Sequence, residues 1–116
     1  MAVQQERGLA GENLAVNHLV KNGYEILERN YRIGKSEIDI IVKKENTLVF
    51  VEVKTRSSSK FGNPEDFVDE KKTAMIINGA ENYILNKQWT GPIRFDIISV
   101  LHTNKPEITH FKDAFY

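Results

Sequence analysis

The chain has 116 residues, with 16 Lys and Arg against 16 Asp and Glu, so its formal net charge is zero. The length suits one domain with one hydrophobic core, and the absence of cysteine excludes disulfides, thiol nucleophiles and thiolate metal sites. A net charge of zero argues against a protein that binds nucleic acid through its overall charge, but it is compatible with a local basic surface. With no long apolar run and a charged N-terminus, we expect a cytoplasmic protein with no membrane association.

The first half of the chain has the spacing of one helix followed by strands. Helical periodicity over residues 4–22 places Leu9, Val16, Leu19 and Val20 on one side, and Asn22-Gly23 is a typical helix end. Branched and aromatic residues then predict three strands, at 24–33 (with an irregularity near Ile26-Leu27), 36–43 and 47–55. A turn at residues 44–47 would join the last two as a hairpin.

The second half begins with a Ser-rich loop and then a helix start. Asn63-Pro64-Glu65-Asp66 combines an N-cap, proline at the first position and acids in the first turn, and predicts a helix to about Asn86. Two more strands are predicted at 93–101 and 107–111. The order α-β-β-β-α-β-β predicts a single α/β domain over residues 1–116, with a mixed central β-sheet flanked by helices.

The central hairpin places like charges face to face. If the turn is centred on Glu45-Asn46, the apolar residues Ile38, Ile40 and Val42 face Val53, Val51 and Val49. The same register sets Asp39 opposite Glu52, a repulsive pair that costs ~0.2–1 kcal/mol on a sheet surface. Either the pair lies on a solvated face, or the register differs by two, or a divalent cation lies between the carboxylates. Oxygen ligands of this kind suit Mg²⁺ or Mn²⁺.

Each predicted helix presents one charged residue toward the sheet. Glu12 shares a helical face with Leu9, Ala15, Val16 and Leu19, and Lys72 lies in the middle of the face formed by Val68, Met75, Ile76, Gly79 and Tyr83. Either residue could instead extend along the apolar stripe to reach solvent at its edge. Together with Asp39 and Glu52, they indicate charged groups that converge from separate elements.

This constellation resembles the signature of the PD-(D/E)XK nuclease superfamily. A carboxylate in an early helix, an Asp in a strand and Glu-x-Lys in the next strand are represented here by Glu12, Asp39 and Glu52-Val53-Lys54. The strings GENLAVNHLVKNGYEILERNYR, SEIDIIV, LVFVEVKTR, FGNPED, RFDIISV and FKDAF narrow the resemblance to the YraN-like, endonuclease-like family over nearly the whole chain. The Pro-Asp dipeptide that names the superfamily is replaced by Ile38-Asp39, and Ser36 stands where the family usually has Gly.

The resemblance implies a restriction-endonuclease-like core and metal-dependent hydrolysis of phosphodiester bonds. Asp39 and Glu52 would hold Mg²⁺ or Mn²⁺ with the Val53 carbonyl, and Glu12 would bind a second cation or a coordinated water. Lys54 would position the attacking water, and Lys72 would contact a phosphate. Glu37, opposite Lys54, would either orient that lysine or form a plain structural ion pair.

The flanks supply bases for the nucleic-acid backbone, and their predicted phosphate contacts are Arg29, Arg32, Lys35, Arg56, Lys60 and Lys71. By analogy with Holliday junction resolvases we expect structured or branched DNA rather than RNA, and a homodimer. Two other functions stay open: a nucleic-acid-binding protein without turnover, and an accessory module that binds another protein.

Three remaining polar features predict no chemistry. Arg94 and Asp96 share a strand face and are expected to form a structural ion pair. His18, His102 and His110 are widely spaced in the sequence, so we expect no metal site or catalytic triad from them. Ser57, Ser58 and Ser59 have no nearby His-Asp set, which argues against a serine hydrolase.

Overall fold

The computed structural model describes residues 2–56 and 70–115, with the side chains of the first helix described from Leu9 onward. Two helices and five strands follow one another as α1 (Ala2–Lys21), β1 (Glu25–Ile33), β2 (Ser36–Lys44), β3 (Thr47–Arg56), α2 (Glu70–Lys87), β4 (Ile93–Leu101) and β5 (Glu107–Phe111). The predicted element order is confirmed. The predicted helix start at Asn63-Pro64 and the Ser-rich loop lie outside the described residues.

Helix α1 ends at the predicted glycine. Gly23 has φ 89°, a left-handed conformation that costs glycine little. The Tyr24 N–H donates to the Leu19 carbonyl at 2.9 Å, and the Gly23 N–H donates to the Val20 carbonyl at 3.1 Å. These two bonds form a Schellman motif, which satisfies carbonyls at the helix end and turns the chain into β1.

The buried stripe of α1 differs from the predicted one. Leu9 and Val20 are 58% and 56% exposed, whereas Ala15 and Leu19 are completely buried. Small residues lie on the buried side because α1 approaches β3 closely: a Cβ added at Gly11 would overlap the hydroxyl of Thr55. The prediction was therefore right for Leu19 and wrong for Leu9 and Val20, which lie at the edges of the stripe.

We expect Gly11→Ala to destabilise the protein by about 1–3 kcal/mol, because the added methyl group overpacks the contact between α1 and β3. Helix propensity alone predicts the opposite sign, a gain of about 1 kcal/mol. Urea denaturation followed by circular dichroism measures the change. The double variant Gly11→Ala/Thr55→Ala should recover part of the loss. A stability gain in the single variant would contradict the close contact.

The five strands form one sheet in the order β1-β2-β3-β4-β5. Neighbouring strands are antiparallel except β3 and β4, which are parallel and are connected in sequence through α2. The irregularity predicted in β1 is confirmed between Ile26 and Glu28. In the β2–β3 hairpin, Ile40 pairs with Val51 and Val42 with Val49, so the predicted register is confirmed there.

The predicted faces of β2 are partly wrong. Ile40 and Val42 pack beneath α1, but Ile38 packs with Ile76 and Tyr83 of α2 on the other face of the sheet. Strict alternation would keep Ile38 and Ile40 on one face, so β2 changes sides at Asp39. The paired strand β1 changes sides at the same level, where Asn30 has φ 53°. Ile38 therefore does not join the apolar face that includes Val53, as the sequence had predicted.

The sheet separates two hydrophobic clusters. One lies under α1 and is built around Ala15, Leu19, Val49 and Val51, and the other lies under α2 around Phe50, Ile76, Tyr83 and Phe95. The observed architecture is thus a mixed five-stranded sheet with one helix on each face. Among the described residues, no helix has an apolar stretch long enough to cross a membrane.

Candidate functional site

The carboxyl groups of Asp39 and Glu52 meet on the α2 side of the sheet. Asp39 lies one residue beyond the last ladder pair of β2 and β3, and its Oδ2 accepts a hydrogen bond from the Val53 N–H at 2.8 Å. Burial, together with the hydrogen bond and charge interaction with Glu52, raises the pKa of Asp39 to about 8. Asp39 therefore keeps its proton at neutral pH.

Glu52 is almost inaccessible to solvent. Its side chain is 3% exposed, and its Oε2 lies 2.8 Å from Nζ of Lys72, which reaches over from α2. The Lys72 side chain is itself 46% exposed. Burial disfavours the charged amine, but the contact with Glu52 outweighs it, so the pKa of Lys72 is raised. The structure thus places Lys72 on the carboxylate pair, as the periodicity of α2 predicts.

Lys54 lies in the same charged cluster. It follows Glu52 by two residues on β3, so both side chains project from the same face. Burial and the neighbouring Lys72 ammonium lower the pKa of Lys54, although the charges of Glu52 and Asp39 act in the opposite direction. Two lysines with pKa values shifted in opposite directions therefore lie beside one carboxylate pair.

Glu12 is close to the pair but is held by β1. Its Oε1 accepts hydrogen bonds from Arg29 Nη2 at 3.4 Å and Asn30 Nδ2 at 3.2 Å, and its side chain is 18% exposed. The charge of Glu12 contributes to the raised pKa of Asp39. The site therefore has a third carboxylate within electrostatic reach, anchored by residues that the sequence analysis did not assign to it.

Glu37 does not occupy the place predicted for it. The register placed it opposite Lys54, but its Oε2 accepts a hydrogen bond from Arg32 Nε at 3.1 Å, on the neighbouring strand β1. Arg32 and Glu37 are 74% and 43% exposed, so this is a surface ion pair of small energetic value. The orientation of Lys54 by Glu37 is not observed, because β2 pairs Glu37 with β1 at this level.

Of the residues predicted to contact phosphate, some line the cavity beside the carboxylate pair and others lie elsewhere. Lys35 and Lys71 line the cavity beside Asp39 and Glu52, which has a volume of about 300 Å³ and whose wall also includes Met75 and Ile76. Arg29 is instead bound to α1, where its Nη2 donates to Asn13 Oδ1 at 2.9 Å. The backbone carbonyl of Arg56, at the end of β3, accepts a hydrogen bond from the His102 N–H at 2.8 Å. Lys60 lies outside the described residues.

The donor set fits a hard divalent cation. In the described part of the chain, no group of three or more His, Asp and Glu side chains has the geometry of a complete metal site. Mg²⁺, however, is commonly held by one or two carboxylates together with water and substrate phosphate oxygens. The buried Asp39–Glu52 pair offers oxygen donors of this kind, and a cation would relieve the repulsion between the two groups.

A second polar cluster, on the α1 side, escaped the sequence analysis. The predicted Arg94–Asp96 pair is confirmed, with Arg94 Nε and Nη2 each 2.8 Å from the carboxylate. Asp96 also contacts His110 at 2.7 Å, and His110 lies 3.3 Å from His18. The wide spacing of the histidines in the sequence did not indicate this contact between two of the three. The polar residues Arg94 and Asp96 in an otherwise apolar strand were the available signal.

Comparison with known proteins identifies the family. A model of the uncharacterised protein family UPF0102 matches residues 11–100, a range that includes Glu12, Asp39, Glu52, Lys54 and Lys72. The chain belongs to this family. The resemblance to YraN-like proteins that the sequence motifs indicated is thereby confirmed.

Relatives match over almost their whole length. UPF0102 protein FP2501 of Flavobacterium psychrophilum is 49% identical, covering 100% of this chain and 98% of that protein. A UPF0102 protein of Bacteroides thetaiotaomicron is 48% identical, covering 100% and 97%. Among solved structures, SfsA of Pyrococcus furiosus in complex with Ca²⁺ covers 94% of this chain and 63% of its own, at 14% identity and a TM-score of 0.37. That TM-score is too low to support an inference about fold or function.

Proposed function

We propose that this UPF0102 protein is a Mg²⁺- or Mn²⁺-dependent endonuclease with a restriction-endonuclease-like core. The observation that supports the proposal best is the buried Asp39–Glu52 pair with Lys72 on one of its oxygens and Lys54 beside it. A buried carboxylate pair is costly to keep in a fold unless a cation or a proton neutralises it. The proposed substrate is nucleic acid, with structured or branched DNA preferred to RNA.

Asp39 and Glu52 would hold the cation, with the Val53 carbonyl as a further ligand and Glu12 toward a second cation or a bound water. Mg²⁺ there would lower the pKa of a bound water and stabilise negative charge on the scissile phosphate. Burial and Lys72 lower the pKa of Lys54, and its amine would orient the attacking water by donating a hydrogen bond to the water oxygen. Lys35 and Lys71, on the cavity wall, would contact flanking phosphates.

Lys72 would change partners during the reaction cycle. Its Nζ lies 2.8 Å from Glu52 Oε2. A cation held by Glu52 would compete with this ammonium, and Lys72 would then turn toward the substrate phosphate. Lys72 would thus neutralise Glu52 before the metal binds and neutralise phosphate charge afterwards. Its 46% exposed side chain has the freedom that this movement needs.

Cleavage assays test the proposal directly. We expect nicking or cutting of branched, flap or linear DNA in Mn²⁺ or Mg²⁺, and a loss of about 100-fold or more in Glu52→Gln and Lys54→Ala. Glu81→Gln, an exposed carboxylate on α2, is the matched control and should keep full activity. Cleavage that survives both site variants would overturn the proposal. Tight DNA binding in EDTA with no cleavage of any substrate would favour a nucleic-acid-binding protein without turnover. A stoichiometric protein partner, with no affinity of the chain for DNA, would favour an accessory module.

The proposal also covers assembly and location in the cell. The proposal places the enzyme in the cytoplasm and as a homodimer, since two-strand cleavage of a branched substrate requires two active sites. Analytical ultracentrifugation of the purified chain at micromolar concentration measures the oligomeric state. A strictly monomeric protein with full activity on branched DNA would contradict the dimer but not the nuclease.

A further inference from the structure

The cluster around Asp96 lies on the opposite face of the sheet from Glu52. Asp96 pairs with Val51 in the parallel ladder, and the Val51 side chain belongs to the cluster under α1. The Asp96 carboxylate is fully buried and accepts bonds from Arg94, from the Asp113 N–H at 3.0 Å and from His110 Nε2 at 2.7 Å. Although burial raises the pKa of Asp96, these contacts outweigh burial and lower it. The group is a fixed anion that orients His110.

A chain of polar contacts continues outward from Asp96 to the surface. Because Nε2 of His110 faces Asp96, its Nδ1 faces His18, whose Nε2 lies 3.3 Å away. Asn22 Nδ2 lies 3.5 Å from Nδ1 of His18. This chain runs from Asn22 through His18 and His110 to Asp96. It holds the two imidazole rings in defined orientations.

A cavity of about 230 Å³ opens onto these rings. Its wall consists of His18, Asn22, Tyr24, Lys44, His110 and Lys112. None of these six residues is acidic, and two are lysines. Lys44 is held over the Tyr24 ring, with Nζ 5.0 Å from the ring centroid. The cavity is lined by ammonium, imidazole and amide groups, which are hydrogen-bond donors for an anion.

The electrostatic environment of His18 is positive. Burial lowers the pKa of His18, and the neighbouring His110 and Lys112 lower it further. An anion in the cavity would relieve the repulsion between His18 and Lys112.

We propose that this cavity is a binding site for a tetrahedral oxyanion of the phosphate class, separate from the Asp39–Glu52 site. Lys44 and Lys112 supply positive charge, and His18 and Asn22 line the wall at the end of α1. The hydrogen bond between Asp96 and His110 holds the His110 ring in place in the cavity wall. The volume accommodates one phosphate group, either free or at the end of a longer molecule such as a polynucleotide. The site does not depend on the proposed nuclease function.

Titration of the full-length protein with inorganic phosphate in EDTA tests this site. In ¹⁵N-resolved NMR of the histidine rings, we expect saturable shifts of His18 and His110 with a Kd of about 1 mM, while the His102 ring stays in place. Lys112→Ala should weaken binding at least fivefold, and Lys112→Arg should keep it. Lys105→Ala, an exposed lysine between β4 and β5, is the matched control and should bind like the parent protein.

A second arm distinguishes the source of the phosphate. A short 5′-phosphorylated oligonucleotide that shifts His18 and His110 at lower concentration than its 5′-hydroxyl counterpart would assign the site to a polynucleotide end. Equal shifts by both oligonucleotides, with phosphate alone effective, would assign it to a free anion. Unsaturable shifts, or equal weakening by Lys105→Ala and Lys112→Ala, would overturn the proposal. So would shifts caused by Zn²⁺ and not by phosphate.

Discussion

Lys72→Met is expected to bind Mn²⁺ about tenfold or more tightly than the parent protein, while its nucleic-acid cleavage falls. The ammonium of Lys72 lies 2.8 Å from the Glu52 oxygen that is proposed to hold the metal. Two unit charges 4 Å apart interact by about 4 kcal/mol at an effective dielectric of 20, so even a fraction of this energy between the ammonium and a metal on one buried carboxylate changes the affinity strongly. Isothermal titration calorimetry with MnCl₂ measures the affinity.

Lys71→Met is the matched control for this prediction. Lys71 lines the same cavity and comes from the same helix, but it makes no ion pair with Glu52 among the contacts of the described residues. We expect its loss to change Mn²⁺ affinity less than threefold. If Lys72→Met binds the metal no more tightly than Lys71→Met, the ammonium does not compete with the metal. If cleavage also stays unchanged, Lys72 has no role toward phosphate.

The second large effect concerns pH. Folding raises the pKa of Asp39 from 3.8 to about 8, so between these values the folded protein holds a proton that the unfolded chain has released. The stability contributed by this proton is fully present below pH 4 and is lost as the pH rises toward 8, by up to about 1.4 kcal/mol per pH unit. Asp39→Asn removes this dependence, and its amide oxygen can still accept the Val53 N–H bond.

We therefore expect the free energy of unfolding of Asp39→Asn, relative to the parent protein, to increase steadily from pH 5 to pH 8. Above pH 8 the variant should be the more stable protein by several kcal/mol, because it lacks the buried like charges. Urea denaturation in EDTA at each pH measures both proteins, and subtracting the two curves cancels the contribution of other groups such as His18. Parallel curves would show that Asp39 titrates normally. Saturating Mn²⁺ should reverse the order above pH 8, since only the parent protein keeps both ligands.

Much of the fold could be predicted because the local signals agree with one another. The end of α1 at Gly23 was predictable because a left-handed residue is needed there, and the β2–β3 register followed from alternating valines around one tight turn. The strands β4 and β5 have the predicted bounds, Ile93–Leu101 and Glu107–Phe111. Where hydrophobic periodicity or turn residues are strong, the local sequence fixes the element, so its bounds and register can be predicted.

The predicted faces failed where the chain departs from regular geometry. Ile38 lies on the α2 side because β2 changes faces at Asp39, and no pattern in Ser36–Lys44 marks that change. Leu9 and Val20 had the periodicity of buried residues, but close approach of α1 at Gly11 shifts the buried stripe to smaller side chains. Both departures depend on how separate elements meet, which periodicity within one element does not record.

The contacts of the charged residues also separate into those that the sequence predicted and those that it did not. Strand spacing alone placed Glu52 and Lys54 on one face, and helical spacing placed Lys72 toward the sheet. The sequence did not show that Arg29 binds Glu12 or that Arg32 binds Glu37, since each pair joins strands or helices through long side chains with many rotamers. Nor did it bring together His18 and His110, which are 92 residues apart in the chain.

The sequence by itself determined the order of elements, the family and the set of residues that converge near Asp39 and Glu52, because hydrophobic periods of 2 and 3.6 and short motifs are properties of local chain. Only the tertiary structure decided which charges neutralise one another. It placed the Lys72 ammonium on Glu52, raised the pKa of Asp39 by burial beside that carboxylate, and assembled the Asp96–His110–His18 cluster on the other face. Burial and through-space charge depend on distances between elements, and those distances arise only when the helices pack on the sheet.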